Sequence, residues 1–375
     1  LYSCDAITRL GLSVLANECP RLRCIYLDVV GHIPYLPCDI PVTPAVDAAG
    51  DGDAGKVSGE DSGLATGSSS NEKKDVAPVR QSNLCCEINL PTKPLKSFDD
   101  PEGEIALCTL SAINWGNIKD PRDFNKPCEL AVRGLDALLT YQNYPVKAAE
   151  MSTMKRRPLG IGIINFAYWL AKNNTDYQNP DLALIDEWAE AWSYYLIKAS
   201  ADLAVEKGAI PGTLETKYGH GITPNLTYKK EVDELIPHKE RQDWKGLRKQ
   251  LKETGIRNST LMALMPSETS AQISNSTNGI EPPRSYVSIK QSKHGVLKQV
   301  VPGYPRMKNA YDLLWEQKSP EGYLKIMAVL QKYIDQGISV NTSYNPVHYE
   351  DEKIPMSTML QHLVMFYKYL SLIHI

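Results

Sequence analysis

The 375 residues carry 41 lysines and arginines against 44 aspartates and glutamates, a formal net charge of -3. That balance argues against a broad nucleic-acid-binding surface, which needs a basic excess. Apolar residues make up 42% and charged residues 23%, ordinary globular usage and enough for a sizeable core. At roughly 150 residues per domain the length predicts two to three domains. No apolar run reaches the roughly eighteen residues of a spanning helix, so no membrane segment is expected. The start, LYSCDAITRL, lacks Met and the basic-then-apolar pattern of a signal peptide. It reads as a chain that begins inside a longer one, with the composition of a soluble, cytoplasmic protein.

In chain order, residues 1–40 read as helix plus short strand. Leu10, Leu12, Leu15 and Ala16 form a helical stripe, and LRCIYLDVV (22–30) is strand-like. The pattern resembles the cysteine-containing type of leucine-rich repeat, too short here to bury its own face. Residues 41–75 are rich in Gly, Ser, Asp and Ala with almost no large apolar residue, which predicts a disordered linker and a domain boundary near Asp75. From Val76 the texture is that of a compact α/β protein. SNLCCEINL (82–90) and IALCTLSAINW (105–115) read as a β-hairpin-like pair. Residues 128–142 read as an amphipathic helix. LGIGIINFAYWLAK (159–172) is apolar nearly all round, with Gly160 and Gly162 allowing close backbone approach before a buried helix. Further helices are predicted at 186–208, stopped by Gly208, and at 240–256, 308–316, 320–336 and 355–369.

All eight cysteines, Cys4, Cys19, Cys24, Cys38, Cys85, Cys86, Cys108 and Cys128, fall within the first 128 residues. None is paired at C-x-x-C spacing, which speaks against a zinc ribbon, and no metal site is expected. They read as reduced thiols, mostly small buried hydrophobes, or with one or two doing redox chemistry.

Two segments could carry chemistry. If Asn83-Leu84-Cys85-Cys86-Glu87 is extended, Asn83, Cys85 and Glu87 share one face within about 7 Å, and Leu84 and Cys86 face the other way. Taken alone, the same pattern fits a strand with a buried thiol and incidental polar neighbours. Met265-Pro266-Ser267-Glu268-Thr269-Ser270 follows the strand-like STLMAL and has the signature of a helix N-terminus. Its backbone N–H groups and hydroxyls suit phosphate, although a plain capping motif reads the same way. NGIEPPRSYV (278–287) reads as a rigid loop.

QSNLCCEINLPTKPL (81–95), GEIALCTLSAINWG (103–116), RRPLGIGIINFAYWLAK (156–172) and RNSTLMALMPSETSAQISNSTNGIEPPRSYVSIK (257–290) together resemble the large, catalytic subunit of class I ribonucleotide reductase. The bacterial aerobic type that acts on diphosphates is the nearest likeness, over about residues 76–369. The resemblance implies a ten-stranded α/β barrel with a central finger loop, followed by a smaller βαβαβ domain. It divides the chain into a repeat-like segment (1–40), a linker (41–75), the catalytic barrel with finger loop (76–215) and the remaining barrel and βαβαβ region (216–375). It implies that Cys85 becomes a thiyl radical and abstracts the substrate's 3′-hydrogen, that Glu87 handles the 3′-hydroxyl proton and that Asn83 holds the ribose hydroxyls. Cys108 would be one of two cysteines that reduce the 2′ position. Glu268, Thr269 and Ser270 would bind the diphosphate.

No cofactor is implied in this chain. The resemblance implies a radical supplied by a di-metal small subunit, thioredoxin or glutaredoxin as reductant, and allosteric ATP and deoxynucleotides in the complete protein. Cys86 departs from the family, standing where an aliphatic residue is usual, and the LSLIHI tail departs from it after about Tyr369. The family's partner for Cys108 lies upstream of the matching region, which predicts that residues 1–375 alone do not turn over. An alternative is an interaction protein in which the repeat-like segment binds a partner and the reductase portion is inert. The anaerobic glycyl-radical reductases would carry a glycyl-radical loop near the C-terminus, and no such pattern is found.

Overall fold

The computed structural model describes residues 79, 82–97, 100, 102–292 and 295–370. The repeat-like and linker segments expected at 1–40 and 41–75 lie outside these residues. The described residues fall within a contact unit spanning Ser68–Ile375.

Four extended segments run in parallel. Strand β1, Leu110–Asn114, pairs with β2, Gly160–Ile164, in the register Leu110↔Gly160 to Asn114↔Ile164. A parallel bridge joins Ile161 to Met262, and another joins Leu264 to Ile338. Helices lie between the segments: α1 (Asn125–Tyr141) and α2 (Lys147–Arg156), then α3 (Phe166–Lys172), α4 (Leu182–Lys207) and α5 (Trp244–Thr254), then α6 (Glu268–Ile273) and α7 (Glu321–Gln331). Helix α8, Met356–Tyr369, follows. Strand-helix-strand alternation of this kind places helices over a parallel sheet.

The hydrophobic pattern explains the layers. In α1 the stripe Cys128, Val132, Leu135 and Leu139 is buried; its spacing of four, three and four puts it on one face. Helix α4 buries residues on every side, including Ile185, Trp188, Trp192, Leu196 and Leu203. It is capped by the Asp181 carboxylate, which accepts from the Leu184 N–H, and ends at Gly208 with φ 85. That left-handed φ favours glycine. Trp115, Phe124, Phe166, Trp169, Trp188 and Trp192 interlock where α1, α3 and α4 meet the end of β1. Trp169 and Trp188 centroids lie 5.0 Å apart, and Trp115 and Trp169 lie 5.3 Å apart. One ion network is buried among them: Lys332 Nζ donates to Asp186 at 2.7 Å, Arg241 donates to Asp186 and Glu190, and the Trp244 indole donates to Glu190 at 2.9 Å.

Several predicted elements take a different form. Residues 82–90 make no strand. The return toward β1 is a single antiparallel bridge, Lys93↔Glu104, and β1 instead pairs with β2. Only 110–114 of the predicted 105–115 strand is regular, and Trp115–Asn117 turns as a 3-10 helix. The apolar run 159–172 divides into β2 and α3 at Asn165, which adopts φ 65. The helix predicted at 308–316 is two short 3-10 turns, and the one at 320–336 ends earlier, with α7. Helix α2 and the exposed hairpin β3–β4 (Val287–Ser292, Gly295–Val300) were not anticipated. No described helix is long and apolar enough to cross a membrane.

Candidate active site

The segment Asn83–Ile88 is a tight turn. The Cys86 N–H donates to Asn83 O at 3.1 Å, and the Asn83 N–H donates to Ile88 O at 3.3 Å. The Asn83 side chain spans the same turn: its Oδ1 accepts from the Ile88 N–H at 3.0 Å, and its Nδ2 donates to Glu87 Oε1 at 2.8 Å. This corrects the extended reading. Asn83 and Glu87 meet because the chain doubles back, not because side chains alternate along a strand. Cys86 takes φ 63, a left-handed conformation that costs a residue with a Cβ roughly 1 kcal/mol or more. Leu84 is 97% exposed at the tip.

The turn is anchored from two sides. Ile88 and Leu90 pack against Ala263 of the third parallel segment. On the other side the Gly337 N–H donates to Glu87 O at 2.8 Å. A Cβ on Gly337 would lie 2.5 Å from Cys86 O, so glycine permits this approach.

Glu87 is 2% exposed, and its Oε2 is buried without a donor among the described residues. A buried carboxylate oxygen left unpaired is costly, and a hydroxyl or amine donor would relieve that cost. Cys85 and Cys86 are half-buried, and Cys108 is exposed just before β1. Although the residue as a whole is exposed, partial burial of its sulfur, then the Glu87 and Cys85 charges beside it, push the Cys108 thiol above its ordinary value. The structure thus brings Asn83, Cys85, Glu87 and Cys108 into one neighbourhood. The thiol Sγ of Cys86 lies 3.9 Å from Leu84 O, held within the turn itself.

Glu268, Thr269 and Ser270 open α6, beyond the carboxyl end of the third segment, and all three are exposed. The preceding Ser267 is buried, and its N–H donates to Asn278 Oδ1 at 3.1 Å. The Ser267 hydroxyl donates to Met265 O rather than capping α6. The plain capping reading therefore fails for Ser267. Glu268–Ser270 and the Asn83–Ile88 turn share the third segment: Ile88 packs against its Ala263, and α6 follows its carboxyl end.

Sequence reasoning missed Asp335 and Gly337. Asp335 accepts from the Leu261 and Met262 N–H groups at 2.7 and 2.9 Å and from the Tyr218 hydroxyl at 2.7 Å. An Asp-x-Gly after a helix reads as a helix ending, and its bonds reach 73 to 117 residues away, so spacing carries no signal. No group of three or more His, Cys, Asp or Glu residues is placed to hold a metal among the described residues.

The family described as ribonucleotide reductase, barrel domain, matches residues 66–370. The ribonucleoside-diphosphate reductase subunit alpha of Haemophilus influenzae is 56% identical over 295 residues, covering 78% of this chain and 39% of that protein. The ribonucleoside-diphosphate reductase 1 subunit alpha of Salmonella typhimurium is 56% identical and that of Escherichia coli 54% identical, each over 295 residues with the same coverage. The chain therefore spans 39% of the length of these relatives. The match to the barrel-domain model over residues 66–370, with relatives 54–56% identical over 295 residues, places this chain in the ribonucleotide reductase barrel-domain family.

Proposed function

We propose that this chain forms the catalytic part of a cytoplasmic ribonucleoside-diphosphate reductase, which makes 2′-deoxyribonucleoside diphosphates for DNA synthesis. The observation that carries the reading is the buried, unpaired Glu87 Oε2 beside the Cys85 and Cys108 thiols. A ribose 3′-hydroxyl supplies the missing donor.

The roles follow from the chemistry. A 2′-hydroxyl leaves poorly, so the neighbouring carbon must first be activated. Cys85, as a thiyl radical, takes the 3′-hydrogen atom, and Glu87 accepts the 3′-hydroxyl proton as general base. Asn83, which donates to Glu87, orients that carboxylate and the ribose hydroxyls. The 2′-hydroxyl leaves as water with a proton from a thiol. Cys108 and a second thiol then give a hydrogen atom to C2′ and one further electron to the sugar as they close a disulfide, and Glu87 returns the proton to the 3′ oxygen. Cys85 returns the hydrogen atom to C3′. Glu268, Thr269 and Ser270 bind the diphosphate at the opening of α6.

The radical comes from a di-metal small subunit and the electrons from thioredoxin or glutaredoxin, with ATP and deoxynucleotides as allosteric ligands of the complete protein. Residues 76–215 and 216–375 are the two catalytic portions in this reading. The test is a hybrid in which this chain replaces the matching 295 residues of the Haemophilus influenzae subunit. Cys85→Ser abolishes reduction, because the serine O–H bond is too strong to return hydrogen. Cys86→Leu keeps activity within about threefold, since its sulfur stays with the turn backbone. Equal loss from both substitutions contradicts the assignment.

A further inference from the structure

The Glu87 turn is held by a strap that carries none of the proposed reacting groups. Residues 335–339 run beside the third parallel segment. The Gly337 carbonyl accepts from the Leu264 N–H at 3.1 Å, and the Ser339 N–H donates to Leu264 O at 2.9 Å. The Gly337 N–H reaches the other way, to Glu87 O at 2.8 Å. One glycine thus ties the catalytic turn to the sheet.

Asp335 sets the register of that strap. Its two carboxylate oxygens take the consecutive Leu261 and Met262 N–H groups, and the Tyr218 hydroxyl donates to Oδ2. Consecutive amides of an extended strand point to opposite sides. A single carboxylate that gathers both fixes where the strap begins. Two residues later, Gly337 meets Glu87. Charge-assisted bonds of this kind are the stronger class.

We infer that Asp335 is a positioning residue for the catalytic turn, acting through Gly337 on Glu87 and Cys85; this rests on the reductase reading above. Asparagine at 335 cannot serve all three donors. It offers one acceptor oxygen, and its own N–H₂ faces an N–H. The strap then shifts, and hydrogen abstraction by Cys85 slows. Substrate binding through Glu268–Ser270 is left in place.

The test uses the hybrid reductase and a 3′-deuterated ribonucleoside diphosphate. Asp335→Asn is expected to lower kcat about tenfold while KM stays within about twofold. The 3′-deuterium isotope effect on turnover should also rise, because abstraction becomes the slower step. A merely structural role lowers the folded fraction and leaves the isotope effect unchanged; that result overturns the inference, as does unchanged kcat or a rise in KM alone. Tyr218→Phe keeps both amide bonds and removes one donor. It is expected to raise the isotope effect by a smaller amount, and it decides the matter should Asp335→Asn fail to fold. Turnover surviving in Cys85→Ser removes the reductase reading itself. Wild-type kinetics for Asp335→Asn in a Cys85-dependent enzyme removes only the inference.

Discussion

Around Trp115 six aromatic rings pack with neighbouring centroids 5.0 to 6.2 Å apart. The turn at Asn83–Ile88 has few apolar contacts, one left-handed residue and a buried oxygen with no donor among the described residues. Both regions are enclosed, but by different means. The core is held by shape and apolar area, and its unsatisfied indole N–H groups of Trp115, Trp169 and Trp192 are a cost its packing carries. The turn is held by backbone bonds to Gly337 and by a short apolar patch. Buried cost in the first is a by-product of packing; in the second it sits on Glu87, the residue proposed to meet the ribose. Strain kept at a site and supported from outside is the pattern expected of a functional site.

Paired substitutions break this comparison most sharply. Glu87→Gln removes a buried charge with an unpaired oxygen, so we expect activity to fall by about 10²- to 10⁴-fold. Its unfolding free energy should stay within about 1 kcal/mol or rise. Trp169→Ala should cost about 3–5 kcal/mol and leave turnover per folded molecule nearly unchanged. Denaturant unfolding and turnover measured on the same samples check both. Similar stability losses in the two variants would erase the distinction.

A second contrast concerns pH. Burial, the largest cause, pushes the Asp335 carboxyl up to about 6, against the lowering effect of its bonds from Tyr218, Met262 and Leu261. A carboxyl whose folded pKa lies above its unfolded value stabilises fully below the unfolded value. That contribution is lost as pH rises through about 6. The difference in stability between wild type and Asp335→Asn should therefore shrink as pH rises from about 4 to 7, by at most about 3 kcal/mol. A difference independent of pH would contradict this. A smaller effect is expected at α6: Thr269→Ala with Ser270→Ala should weaken diphosphate binding by about 1–3 kcal/mol in calorimetry. Unchanged affinity would remove those residues from the site.

The core was legible in the sequence because it repeats. The stripe at Cys128, Val132, Leu135 and Leu139 was visible as periodicity, the run 159–172 that became β2 and α3 as nearly unbroken apolarity, and Gly208 marked the end of α4. The turn was legible in its residue types but not in its shape. Asn83, Cys85 and Glu87 were chosen on an extended geometry, whereas bonds between Asn83 and Ile88 close a turn. Local propensity did not favour φ 63 at Cys86, which the surrounding contacts hold. The strap at 335–339 was not legible at all, because its partners at Tyr218, Leu261 and Met262 are joined only by the fold. Likewise 308–316 had helical spacing but lacked the continuous pairing that would make one helix.

The central claim is that the turn and Cys108 share one reduction. The direct measurement is a single turnover of the pre-reduced hybrid with its small subunit and no external reductant, followed by mapping of the thiols. The account predicts about one deoxynucleotide per site, Cys108 recovered in a disulfide and Cys85 recovered as a free thiol. Deoxynucleotide formed with Cys108 still a free thiol would contradict it.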